Sequence, residues 1–107
     1  MNRDSNLPLT ETVYYILLAL IEPAHGYLIM QKIEMLSEGQ VRMAAGTLYG
    51  ALDNLLKAKL IKPTESEDKR RKTYIITEKG TELLRADHDR MVHMVNITND
   101  CMKGGES

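Results

Sequence analysis

The chain has 107 residues, with 14 basic and 15 acidic side chains, a formal charge of −1 and 43% apolar residues. That is room for one compact domain plus one further element. With no Trp and no Phe, the core must come from Leu, Ile, Val, Met and five Tyr. This favours helices, because aromatic and β-branched residues favour strands. A single cysteine, Cys101, excludes an internal disulfide, and the longest apolar run, "VYYILLALI" at 13–21, is too short for a membrane helix, which needs ~20 residues. The opening "MNRDSNLPLT" lacks a signal peptide's apolar middle, and the expectation is a cytoplasmic protein.

Charge is unevenly distributed. Residues 1–56 carry three basic and six acidic side chains, and residues 73–107 carry four and six. Residues 57–72 carry seven basic and three acidic ones, a local charge of +4. Screening limits charge interactions to ~8 Å at physiological salt, so the local excess outweighs the total and can attract a polyanion.

Thr10 is placed to cap a first helix that Pro23 closes. Val13 to Ile21 is apolar nearly all round, which predicts burial on more than one side and a share in a subunit contact. A second helix starts near Gly26–Tyr27 with Tyr27, Ile29, Met30, Ile33 and Leu36 on its apolar side, Tyr27 being assigned to the core. It ends at "SEG", 37–39, where Gly39 is a natural stop. "QVRMAA" at 40–45 links it to a third helix from about Gly46 to Ala58. Leu48, Leu52, Leu55 and Leu56 form the buried stripe of that helix, with Thr47, Gly50, Asp53, Asn54 and Lys57 largely opposite. "LIKPTES" at 60–66 and "KTYIIT" at 72–77 read as antiparallel strands joined by the basic turn, Pro63 marking an edge. Thr77 then caps a final helix from Glu78 to about Met102. Leu83, Leu84, Met91, Met94, Val95, Ile97 and Met102 supply its apolar positions, "DHDR" at 87–90 interrupts the stripe, and "KGGES" frays.

The fold class expected is α+β, mainly α: a winged helix-turn-helix with a two-stranded wing and a long C-terminal helix. Its divisions are an arm at 1–9, a DNA-binding domain at 10–76, and a dimerisation helix with its tail at 77–107. The major groove, ~12 Å wide, admits one α-helix, and a basic loop beside it can reach phosphates. The candidate DNA contacts are Ala44, Ala45, Gly46, Thr47, Tyr49, Gly50 and Asn54 on the third helix and Lys69, Arg70, Arg71 and Lys72 in the loop. Small residues at the helix start let backbone N–H groups approach a phosphate. Asp53 is expected to turn away from the phosphates. Val13, Leu17, Leu20, Leu84, Met91, Met94, Val95 and Met102 are the candidate dimer contacts, since a lone helix of this length cannot bury a face in so small a domain. A two-fold dimer would read a pseudo-palindrome with half-sites ~34 Å apart.

No serine–histidine–acid signature, P-loop or dinucleotide fingerprint is present, so no catalytic residues and no cofactor are assigned. Asp89 and His93 share a helix face, but two ligands are too few for a structural zinc site, and no metal site is assigned. The alternative to a DNA-binding regulator is a winged helix that serves only as a protein-interaction module.

The segments "HGYLIMQKIE" at 25–34, "AGTLYGALDNLLKAKLIK" at 45–62 and "KRRKTYIITEKG" at 69–80 resemble the PadR-like transcriptional regulators. The most specific matches are Gly46-Thr47-Leu48-Tyr49 and the Tyr74, Thr77, Gly80 spacing. The resemblance implies a homodimeric repressor, joined by its final helix, that responds to small apolar or aromatic effectors and controls efflux, detoxification or stress genes. Two departures stand out: Gly50 replaces the family's usual proline after Leu-Tyr, and the terminal helix lacks a tryptophan for stacking ligands. Met91 and Met94 are the candidate residues for an adaptable apolar ligand site instead.

Overall fold

A computed structural model describes residues 6–66 and 70–104. The elements run α1 (Glu11–Ala19), β1 (Ala24–His25), α2 (Gly26–Leu36), α3 (Ala45–Lys57), β2 (Ile61–Thr64), β3 (Thr73–Ile76) and α4 (Glu78–Gly104). This is the mainly helical winged architecture expected, with one addition. The sheet has three strands in the order β1-β3-β2, all antiparallel, because Ala24 and His25 pair with Tyr74 and Thr73. A two-residue strand carries no periodicity, so only the partner strand defines it. Pro63 lies on the edge strand β2 opposite Tyr74, where its missing N–H costs no ladder bond.

The helix ends follow local chemistry. Thr10 Oγ1 accepts the Val13 N–H at 3.1 Å and opens α1. Lys32, reaching across from α2, donates its Nζ to the Ala19 carbonyl at 3.2 Å, placing a cation at the C-terminus of α1. After α2 the chain turns through Glu38 and Gly39, both in the left-handed region at φ 53° and 79°. The Ser37 hydroxyl fixes this turn by accepting the Val41 N–H at 3.0 Å, which sets the angle between α2 and α3.

One core joins these pieces: Ile16 and Leu17 from α1 with Leu20 at its C-cap, Ile29 and Ile33 from α2, Leu48 and Leu52 from α3 and Ile61 from β2, all fully buried. The assignment of Leu17, Leu20 and Leu84 to a dimer contact is corrected here. Leu17 and Leu20 are 0% exposed and Leu84 7% exposed within the single chain, leaving them almost no surface for a partner. Tyr27 is corrected in the opposite sense, being 61% exposed. It stands at the first turn of α2, one position off the Ile29–Ile33 stripe.

Thr77 is the joint between the wing and α4. Its Oγ1 accepts the Gly80 N–H at 3.0 Å and donates to the Lys59 carbonyl at 2.7 Å, while its own N–H reaches the Leu60 carbonyl at 3.0 Å. Gly80 lies directly under that strand entrance. A Cβ there would collide with the Leu60 carbonyl oxygen and stand 2.8 Å from Ile76 Cγ1. The first turns of α4 pack inward through Gly80, Leu83, Leu84 and Asp87. "DHDR" therefore does not interrupt the buried face. Asp87 is 1% exposed and accepts Arg90 Nε at 2.6 Å, a pairing that lets a carboxylate occupy an interior position. Beyond Met91 the helix leaves the body, and Val92, Met94, Val95, Ile97 and Met102 are exposed.

Gly80→Ala forces backbone against backbone and is expected to lower stability by ~2–3 kcal/mol. Gly50→Ala, on a helix position where an added Cβ meets nothing within 4 Å, should stabilise by up to ~1 kcal/mol. Urea unfolding of the two variants checks both signs; equal effects would contradict this account of the joint.

Candidate nucleic-acid interface

α3 is anchored by Leu48, Leu52 and Leu55 and turns its leading end outward. Ala44, Ala45, Gly46, Thr47, Tyr49 and Gly50 are all exposed, and Ala44 occupies the N-cap position with no side-chain cap bond. The first amide groups of α3 thus lack a side-chain acceptor from their own cap. Gly50 sits inside the second turn of a helix that already begins at Ala45, so its replacement of a proline does not delay the helix start.

Tyr49 leads from α3 towards the wing. Its ring lies over Gly26, where an added Cβ would stand 2.5 Å from Oη and 2.9 Å from Cζ. The absence of a side chain at 26 is what lets the phenol cross to the start of α2. There a cleft of about 420 Å³ is lined by His25, Gly26, Tyr27, Tyr49, Arg70, Arg71 and Lys72. Three cations, two phenols and an imidazole meet on this lining, and among the described residues no carboxylate lines it. Arg71 Nη1 lies 3.0 Å from His25 Nε2, which ties the wing to the strand and helix behind it.

The sequence-derived site residues divide among three places. Tyr49, Arg70, Arg71 and Lys72 share the cleft, and Ala44 to Thr47 and Gly50 form the exposed leading end of α3. Lys69 lies outside the described residues. Asn54 is exposed but lines a different hollow, of about 270 Å³, with Asn6, Pro8 and Leu9 of the arm. Asp53, expected to turn away from the phosphates, is exposed on α3 near Tyr74. Its charge reaches Tyr74, whose phenol is pushed above its ordinary 10.0 first by burial, then by Tyr49 and then by Asp53. His25 and Tyr27 were not assigned to the site from sequence. A histidine directly before a helix start is a usable signal, since its ring can occupy the cap position.

A second hollow, of about 520 Å³, lies between α1 and α4 and is lined by Leu9, Glu11, Tyr14, Tyr15, Leu18, Leu36, Asp87 and Met91. Burial, and then the nearby charge of Asp87, push the Tyr14 phenol above 10.0. Met94 is not part of this lining; its sulfur sits 3.6 Å from Arg90 Nη1. Among the described residues, no group of three or more His, Cys, Asp or Glu is placed to hold a metal ion, and no helix is long and apolar enough to cross a membrane.

Residues 16–86 match the transcriptional regulator PadR-like family. Over 72 residues the chain is 38% identical to an uncharacterised 37.1 kDa protein from a transposon of Streptomyces fradiae. That match takes in 67% of this chain but only 20% of the relative, so the chain spans about a fifth of the curated protein it resembles. Among solved structures, a PadR-like transcriptional regulator from Bacillus cereus is similar at a TM-score of 0.70 and 26% identity, covering 85% of this chain and 90% of that one. A transcriptional regulator from Clostridium thermocellum follows at 0.68 and 28%, covering 82% and 89%.

The folded chain holds the phenol protons of Tyr14 and Tyr74 to higher pH than the unfolded chain does. Their contribution to stability is fully present below pH 10.0 and is lost as pH rises through the folded values. Ultraviolet titration of phenolate should therefore find two groups ionising above 10.0, and Tyr14→Phe should remove one and lessen the alkaline loss of stability. An unchanged titration in that variant would contradict the assignment.

Proposed function

The chain belongs to the PadR-like family, whose members are transcriptional regulators and not enzymes, and from that premise we propose that it is a sequence-specific, homodimeric DNA-binding repressor released by a small effector. The observation that carries this reading is the meeting of Tyr49 with Arg70, Arg71 and Lys72 in one cleft beside the exposed start of α3. With α3 in the major groove, Ala44 to Gly50 approach the phosphates and base edges closely, and Thr47 supplies a hydroxyl for readout. The wing cations lie along the adjacent phosphate backbone. Asn54, two turns further on, reads bases only where the groove wraps towards the arm.

The second half of α4 supports the homodimer. Met94, Val95, Ile97 and Met102 are exposed apolar side chains on a helix that has left its own core. A second copy related by two-fold symmetry covers both such faces at once. Half-buried Val13 and Met91 extend the contact towards the body. The hollow between α1 and α4 borders this contact, and Met91 on its wall gives it a pliable apolar lining. An effector seated there changes the spacing of the two α3 helices and so releases an operator of efflux, detoxification or stress genes.

Neutralising Arg70 and Arg71 should weaken binding to all duplexes alike and flatten its dependence on salt by ~0.9 in the logarithmic slope for each lost phosphate contact. Binding isotherms at several salt concentrations read this directly; an unchanged slope would remove the wing from the interface. Val95→Glu places a charge in the proposed subunit contact and should yield a folded monomer by sedimentation, with helical circular dichroism retained. A variant that stays dimeric would show that this face of α4 is not the contact.

A further inference from the structure

The hollow between α1 and α4 has polar groups of one electrostatic sign. Leu18, Leu36 and Met91 give it apolar walls from α1, α2 and α4, and between them stand the phenols of Tyr14 and Tyr15 and the carboxylates of Glu11 and Asp87. Among the described residues no lysine, arginine or histidine lines it. Asp87 is 1% exposed, and Arg90, which is not on the lining, meets its charge at 2.6 Å. Glu11, in the first turn of α1, is exposed, and among the described residues no cation pairs with it. The uncancelled charge facing the hollow is therefore that of Glu11.

The Tyr14 phenol reports on this environment. Burial first, and then the charge of Asp87, hold its proton to higher pH than usual, so the place resists a new negative charge. An anionic ligand entering the hollow meets the same resistance. A small, strongly hydrated cation is also excluded, since apolar walls return nothing for the water it gives up. A bulky cation whose charge is sheathed in hydrocarbon loses little hydration and gains the apolar walls. It is also attracted by the tyrosine rings and by the Glu11 carboxylate. The hollow, at about 520 Å³, falls inside the range of ~300–1,000 Å³ that accepts a molecule of this kind.

We infer that the hollow between α1 and α4 binds a lipophilic organic cation, with Tyr14 and Tyr15 supplying aromatic surface and Glu11 the opposite charge on its exposed side. The inference rests on the proposed reading of this hollow as the effector site, and it gives that effector a charge and a solubility class. Asp87 stays with Arg90 throughout, because separating a buried pair leaves a charge uncompensated.

The test uses the full chain and two probes of one shape and opposite charge, tetraphenylphosphonium and tetraphenylborate, in sodium buffer. Calorimetry gives the affinities, and spectra of protein carrying ¹³C-methyl methionine give the place. The phosphonium should bind about tenfold tighter than the borate or more, from the rings and the carboxylate together. It should shift the Met91 methyl and leave that of Met43 in place. Glu11→Gln and Tyr15→Leu, with helical circular dichroism retained, should each narrow the ratio about threefold. Equal affinity for the two ions, an unchanged ratio in Glu11→Gln, or shifts at Met94 and Met102 without Met91 would overturn the assignment. The effector reading is scored separately, by adding each ion to the chain bound to a duplex that it has enriched from a randomised pool. If the phosphonium binds beside Met91 and the duplex stays bound, the effector reading falls and the cation site stands. If only the borate releases the duplex, the effector reading stands and the cation site falls.

Discussion

The fold depends on a few hydrogen bonds around Thr77. Its hydroxyl accepts from the start of α4 and donates to the end of the α3–β2 turn, and its backbone N–H takes the Leu60 carbonyl. The next strand residue inward, Ile76, donates to the Leu20 carbonyl at the end of α1. Four elements are thereby fixed against one another within a few residues. Gly80 lets this happen, because α4 must pass so close to the Leu60 carbonyl that no side chain fits between them. The Tyr74, Thr77, Gly80 spacing thus has a mechanical meaning: a buried phenol, a two-way hydroxyl and a close approach, three residues apart.

That joint sets where the wing points. β3 runs from the cleft to Thr77, and β1 pairs with its outer end, bringing His25 next to Thr73 and the basic turn over the start of α2. Tyr49 closes the arrangement from the α3 side by crossing the bare backbone of Gly26. Arg70, Arg71 and Lys72 of the basic stretch therefore share one cleft with His25, Tyr27 and Tyr49. Asp53 lies near Tyr74, whose phenol, raised first by burial and then by Tyr49, its charge pushes further up.

α4 has two unlike halves. Its first turns are part of the domain core, and Asp87 with Arg90 ends that buried stretch on a paired charge instead of an apolar side chain. The remaining turns carry apolar side chains, Met94, Val95, Ile97 and Met102, that are exposed among the described residues. A helix of 27 residues is about 40 Å long, well beyond the body that holds its first half. The proposed second copy would supply what the far half lacks, and the hollow beside Tyr14 and Met91 lies where the two halves meet.

Helix periodicity, the Thr10 cap, the strand pair with Pro63 on its edge and the basic turn were legible in the sequence because each is a local preference of a few neighbouring residues. β1 was not, since two residues have no period and only β3 makes them a strand. The burial of Leu17, Leu20 and Leu84 and the exposure of Tyr27 were also hidden. An apolar side chain is drawn equally to its own core and to another subunit, and only the packed geometry decides between them. Asp87 read as an interruption because its partner, three residues on, makes an interior carboxylate tolerable only when the helix is docked. By itself, then, the sequence determined the order of elements and the sign of charge on the wing, which are properties of adjacent residues. Tertiary structure alone decided which groups meet across the cleft, because His25 and Arg71, distant in the chain, become neighbours only when β3 pairs with β1.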